Sequence, residues 1–212
     1  MICDTVRYVL FRWGFIGTFR VDNGAPFGEP TRQSLSPLHL YLNAHGIRVK
    51  LNPPRSPRKN AKVERNQGTT ARWANPAQCV DYLEFQQKLN QAVIDQRENY
   101  PSRVCQGLTR AQRYPKLFDN PKRFNVADFD LNRVFQLLSK GHWVRKVSAY
   151  GSASIFGKAY QIGYKYRNTV VDIYFEPKTR HWIVKDARGI NINSLHAKNL
   201  NEINIRALSL SQ

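Results

Sequence analysis

Two carboxylates stand in settings that make them candidates for chemistry. Glu64 is the only acid among eight basic residues between Arg48 and Arg72. A carboxylate in so cationic a setting is ionised at neutral pH. Taken alone, it also reads as a surface glutamate pairing with Lys62 or Arg65, a contact worth little. Asp22 stands in Val21-Asp22-Asn23-Gly24-Ala25-Pro26-Phe27-Gly28. By itself, Asp-Asn-Gly is ordinary turn chemistry.

The elements around these residues follow from periodicity. Residues 1–17 read as an amphipathic helix closed by Gly14 and Gly17, and residues 18–22 as a short strand carrying Asp22. The segment Gly28–Ser36 reads as a loop. Pro37 then opens a helix through Ala44, with Gly46 as its cap. Ile47, Val49 and Leu51 alternate with Arg48 and Lys50, which predicts a half-exposed strand. From Asn52 the loop is rich in Lys and Arg, and Pro53, Pro54 and Pro57 keep it out of helix and central strand. It leads into a predicted helix from Ala61 to Trp73, with Glu64 near its start. The order is α/β, and both carboxylates fall at element ends, where α/β sites usually assemble. Residues 77–99 read as helix from the spacing of Val80, Leu83, Leu89, Val93 and Ile94.

Together the two features resemble the DDE integrase and insertion-sequence transposase family, with its ribonuclease H-like core. Asp22 to Phe27 match the family's D-N-G-x-x-F signature at a strand end. Pro54-Arg55-Ser56-Pro57, Asn60, Glu64 and Arg65 match its P-x-S-P-x-x-N-x-x-x-E-R loop and helix start. Leu38–Ala44 and His45-Gly46-Ile47 match the intervening helix and strand entry. The Asp22–Glu64 gap exceeds the spacing typical of retroviral integrases, and Gly28–Ser36 absorbs the extra length. Ala61 stands where many relatives have Gly. The family's first catalytic Asp lies on an upstream strand. Asp4 alone precedes Asp22, and its neighbours Ile2, Val6, Val9 and Leu10 fall at helical spacing, so that role is not carried onto it. The expectation is a chain that begins inside the catalytic domain and is inactive by itself.

Composition sets bounds on this reading. A chain of 212 residues with 42% hydrophobic content can bury a core in one large domain or two small ones. A formal charge of +18 points to a polyanionic partner. No apolar run is long enough for a membrane span, and no signal peptide is evident. Cys3, Cys79 and Cys105 fit neither a zinc site nor a disulfide framework, so a reducing cytoplasm is the expected compartment, nucleoid-associated in a bacterium. The five histidines show no metal-binding spacing and read as solvated surface.

The second half changes period. After a linker at 119–125 and a short helix with Phe129, Val134, Leu137 and Leu138 on its apolar face, alternation predicts strands at His142–Ser148, Ser154–Phe156, Ala159–Ile162, Thr169–Phe175, Trp182–Asp186 and Asn191–Leu195. Strands this short and closely spaced imply a small β-barrel, similar to the SH3-like DNA-binding domain of several integrases. Lys140 to Arg167 holds six Lys/Arg and no acid, interleaved with Trp143, Tyr150, Tyr160, Tyr164 and Tyr166. Such a mixture suits nucleic acid; Trp143 and Trp182 read as barrel core.

The resemblance divides the chain into a partial integrase core (1–118), a linker and short helix (119–140), a barrel (141–196) and a tail (197–212). It implies metal-dependent DNA strand transfer, with Asp22 and Glu64 as two of three carboxylates holding a pair of Mg²⁺ (or Mn²⁺) ions. Arg55, Arg58, Lys59, Lys62 and Arg65 would neutralise DNA phosphates beside them, and Asn60 would stand at the start of the Glu64 helix. Arg145, Lys146, Lys158, Lys165 and Arg167 would bind DNA from the barrel. The implied partners are transposon ends and target DNA, without a membrane; a homo-oligomer or association with an intact transposase is compatible. The alternative is a DNA-binding remnant without catalysis, or an inhibitor of an intact transposase.

Overall fold

The computed structural model describes residues 2–21, 28–29, 34–53, 61–118 and 122–208. In chain order these form α1 (Ile2–Trp13), β1 (Thr18–Val21), β2 (Gly28–Glu29), β3 (Ser34–Leu35), α2 (Pro37–Ala44), β4 (Arg48–Leu51), α3 (Ala61–Ala74), α4 (Tyr82–Ile94), α5 (Arg110–Arg113) and α6 (Leu131–Leu138). Then follow β5 (His142–Lys146), β6 (Ser152–Ile155), β7 (Lys158–Gln161), β8 (Val170–Glu176), β9 (His181–Lys185), β10 (Asn191–His196) and α7 (Glu202–Arg206). The fold is mixed α/β. It divides into two compact units, one of Met1–Tyr8, Ile16–Leu51 and Asn125–Gln212, the other of Val9–Phe15 and Asn52–Phe124.

In the first unit, β1 and β4 pair in parallel, from Thr18 opposite Arg48 to Val21 opposite Leu51. Parallel strands need a crossover, and α2 supplies it. Ser36 caps α2 by accepting from the His39 amide at 3.1 Å, with Pro37 at the first helical position. Gly46 ends the turn at φ +76°, a left-handed conformation that favours glycine. The face so formed buries Leu38, Leu40, Tyr41, Leu42 and Ala44, beside a fully buried Ile47. Because the pairing is parallel, the chain leaves both strands at the same edge. β1 runs into position 22, and β4 into the loop that leads to α3. The segment predicted as a plain loop, Gly28–Ser36, contains a small antiparallel pair of β2 and β3.

The same unit holds the β-rich half. Strands β10, β9, β8 and β5 form one antiparallel sheet in that order, and β6 and β7 form a separate two-stranded ribbon. Alternation along β8 buries Val171, Ile173 and Phe175, and β9 buries Trp182 and Val184. Trp143 and Trp182 are core residues, as expected, with ring centroids 5.5 Å apart. Phe135 of α6 covers the sheet through Phe175 at 5.4 Å. The expected barrel is not closed by hydrogen bonds among the described residues. The ribbon closes at Gly151, whose carbonyl accepts from both the Ile162 and Gly163 amides, and it packs on the core by burying Ala153, Ile155 and Tyr160.

α6 is tied to the parallel pair's crossover helix. The Asp130 amide and Arg133 Nη1 both donate to the Ala44 carbonyl, at 3.0 and 3.2 Å. The segment read as a tail carries α7, whose Ile205 is fully buried and whose Arg206 lies 4.2 Å over the Phe129 ring. The expectation of solvated histidines fails at two positions. His45 is buried against Tyr41 and Phe129, and burial pushes the His39 pKa down to about 4.

In the second unit, α3 packs against α4, and the Gln96 side-chain amide, just beyond α4, donates to Thr70 Oγ1 of α3 at 2.8 Å in a buried bond. After α4 the chain widens into a π turn at Asp95–Asn99. Arg97 lies over both Trp13 and Phe118, at 5.0 and 5.2 Å. The apolar spacing that predicts helix over 77–99 does mark α4, yet Val80 and Leu83 are 93% and 69% exposed. α4 buries Ala92 instead. Among the described residues, no helix is long and apolar enough to cross a membrane.

Candidate functional site

Of the two candidate carboxylates, Glu64 is described and Asp22 is not. Arg55, Arg58, Lys59 and Asn60 also lie outside the described residues, and Lys62 is placed only by its backbone in α3. Glu64 stands in the first turn of α3, where an anion is favoured by the unpaired amides of the helix start. Its side chain is exposed and pairs with no described side chain, so the local ion pair with Arg65 is not formed. Its carboxylate is therefore open to a ligand. A carboxylate suits a hard divalent cation such as Mg²⁺, and on donor chemistry Glu64 fits one. No group of three His, Cys, Asp or Glu that could hold a metal ion occurs among the described residues.

The same helix builds one wall of a cleft of about 770 Å³, within the roughly 300–1,000 Å³ of ordinary ligand sites. Arg65, Thr69, Arg72 and Trp73 recur at steps of four, three and one, which puts them on one helical face. The opposite wall comes from Tyr100, Arg110 and Tyr114. α5 begins with a capping box in which Thr109 Oγ1 accepts from the Gln112 amide and Gln112 Oε1 from the Thr109 amide. That cap fixes Arg110, whose Nη1 donates to the Gln96 carbonyl at 2.6 Å. Gln96 thus joins α3, the π turn and α5. Trp73 and Tyr100 meet edge to face at 5.1 Å and stay 41% and 52% exposed. Among the described residues no acid lines this cleft. Arg72 and Arg110 were missed by motif matching. The seven-residue step from Arg65 to Arg72, with Trp73 beside it, could find Arg72; Arg110 has no such signal, since only the fold brings α5 to this face.

A second cationic set lies in the β-rich half. Lys165 sits over Tyr166 at 4.8 Å, and Arg167 over Tyr164 at 4.4 Å. Tyr150 and Tyr164 are 83% and 62% exposed. Their loops are pressed together at Gly151, where an added Cβ would come within 2.8 Å of the Gly163 and Tyr164 backbone. Lys146 is exposed, and Lys158 is half-buried at the start of β7. Arg145 is differently placed. Its Nε donates to the Ser154 carbonyl at 3.2 Å and its Nη1 to the Val144 carbonyl at 2.8 Å, which pins the ribbon to β5. Burial lowers its pKa from the ordinary arginine value.

No family model matches this chain, and no curated protein does.

Proposed function

We propose that this chain is an integrase or transposase polypeptide that binds DNA and contributes Asp22 and Glu64 to metal-dependent strand transfer. In this reading the first half is a ribonuclease H-like core and residues 141–196 an SH3-like DNA-binding module. The observation that carries it is topological. β1 and β4 are parallel neighbours that end side by side at Val21 and Leu51, the first immediately before the D-N-G motif in sequence and the second just before the proline-rich basic segment. An open carboxylate follows in the first turn of the next helix. The basic and aromatic residues of 150–167 supply a DNA surface apart from any chemistry.

Asp22 and Glu64 would hold Mg²⁺ or Mn²⁺. A bound divalent ion there supplies activation of an attacking hydroxyl and charge stabilisation at a phosphodiester. The chain's own part is to orient the carboxylates and hold phosphates with Arg65 and the basic loop. A third carboxylate is required, and no residue of this sequence is assigned to it.

A second reading is DNA binding without strand transfer, favoured by the exposed Tyr150 and Tyr164 beside Arg167, which lies over the Tyr164 ring, and Lys165. One experiment separates the two. Nicking and joining of end-labelled duplex is measured with Mg²⁺ or Mn²⁺, alongside Mn²⁺ binding followed by water relaxation. Strand transfer predicts Mn²⁺ binding by the unaltered chain that weakens in Asp22→Asn and Glu64→Gln, with duplex affinity kept within twofold, and, where a third carboxylate completes the site, cleavage that falls at least a hundredfold in each variant. Duplex binding without cleavage or Mn²⁺ binding in the unaltered chain would leave the second reading. Cleavage surviving both substitutions would overturn the first.

A further inference from the structure

The cleft between α3 and α5 is not used by the carboxylate chemistry, and its composition is that of a reader of unpaired bases. Aromatic faces can stack on a base only when the base is not already stacked in a duplex. Trp73, Tyr100 and Tyr114 are all at least 41% exposed around one cleft, an unusual position for large rings unless they meet something. Three guanidinium groups, those of Arg65, Arg72 and Arg110, stand among them. Neither Arg65 nor Arg72 forms an ion pair with a described side chain, and no described carboxylate lines the site to repel a phosphate. Arg110 and the π turn are held by the Gln96 bonds, so the wall is preorganised. π turns of this kind recur at functional sites.

We propose that this cleft binds a single-stranded DNA segment, with a base stacked on Trp73 or Tyr100 and its phosphates on Arg65, Arg72 and Arg110. The inference deepens the strand-transfer reading, because it assigns this chain a hold on unpaired nucleotides of the DNA that reading has it bind. Its test uses Trp73, Arg72 and Tyr100, however, which the strand-transfer reading does not.

Tryptophan emission offers a direct probe. Trp143 and Trp182 are buried at 3% and 0% exposure, whereas Trp73 is open. A dodecamer of thymidylate added to the full chain should quench the emission, and Trp73→Phe should abolish most of that quenching. Arg72→Glu, on an exposed helix face, should weaken dodecamer binding by anisotropy at least tenfold, and Tyr100→Ala roughly tenfold, near the lower end of what stacking one base contributes. Duplex affinity should change less than threefold in each variant, and circular dichroism melts should overlay. Single-strand binding unchanged in Arg72→Glu would overturn the proposal. So would an equal fall in duplex and single-strand binding, or equally tight binding of a polyglutamate peptide of matched charge. Should the chain bind no duplex yet show the Trp73-dependent quenching, the strand-transfer reading fails while the cleft assignment holds.

Discussion

Two histidines show what a side chain's surroundings do to its charge. His45 lies at 2% exposure, and burial pushes its pKa down to about 4. The guanidinium groups of Arg206, Arg133 and Arg7 push it the same way, while Asp128 opposes them. His39, in α2 among buried leucines, is held near 4 by burial alone. In the unfolded chain both titrate near 6.5. Between pH 6.5 and 4 the unfolded state therefore binds more protons than the folded one. Stability is full above pH 6.5 and falls as pH drops toward 4, by at most about 1.4 kcal/mol per pH unit for each histidine. Urea midpoints from pH 7.5 to 4 should trace that limb, and His45→Phe, packed by Tyr41 and Phe129, should flatten it. An unchanged acid slope in the variant would exclude the imidazole as its source. The sequence could not show this burial. His39 interrupts the apolar run Leu38, Leu40, Leu42, and His45 stands at a helix end, where polarity usually means solvent. The environment comes from α6 and α7, more than 80 residues later in the chain.

At the scale of elements, local pattern carried far. Pro37 and Gly46 bracket α2, and alternation places β4, β5, β8 and β9 within a residue or two of their observed ends, because each rule is satisfied by neighbours along the chain. What failed to show was whatever depends on a partner. The β2–β3 pair, the separation of β6 and β7 from the main sheet, and the exposure of Val80 and Leu83 have no signature in their own segments. Asp22 and the basic loop stay legible as motifs only. Two glycines test the element-level account in opposite directions. Gly151 sits at φ +77°, with backbone 2.8 Å from where a Cβ would be, so Gly151→Ala combines left-handed strain with overpacking. Thermal melts should show a loss of about 2–4 kcal/mol, and DNA affinity should fall as the Tyr150 and Tyr164 loops separate. Gly68 lies mid-helix in α3 with nothing within 4 Å of its Cβ position. Gly68→Ala should stabilise by about 0.5–1 kcal/mol. A loss there would mean that the α3 face is covered in solution.

For the whole molecule, the governing quantity is a formal charge of +18 and how much of it is free to meet phosphate. Cations already neutralised by a carboxylate release few counterions from DNA. Arg188 illustrates this, since its Nη2 lies 3.1 Å from Asp186 Oδ2. Lys165 and Arg167, by contrast, rest on tyrosine rings and lie exposed on their loops. Each phosphate neutralised contributes about 0.9 to the slope of log affinity against log salt. Lys165→Ala/Arg167→Ala should therefore reduce the magnitude of that slope by about 2 on duplex DNA, and Arg188→Ala should leave it almost unchanged. Anisotropy titrations between 50 and 300 mM NaCl, on the order used to resolve such slopes, would measure both. A shallow slope in the unaltered chain, equivalent to only one or two phosphates, would mean that the excess charge serves solubility and not DNA. Equal slopes in all three proteins would move the DNA surface away from Lys165 and Arg167, leaving the α3 cations to carry it.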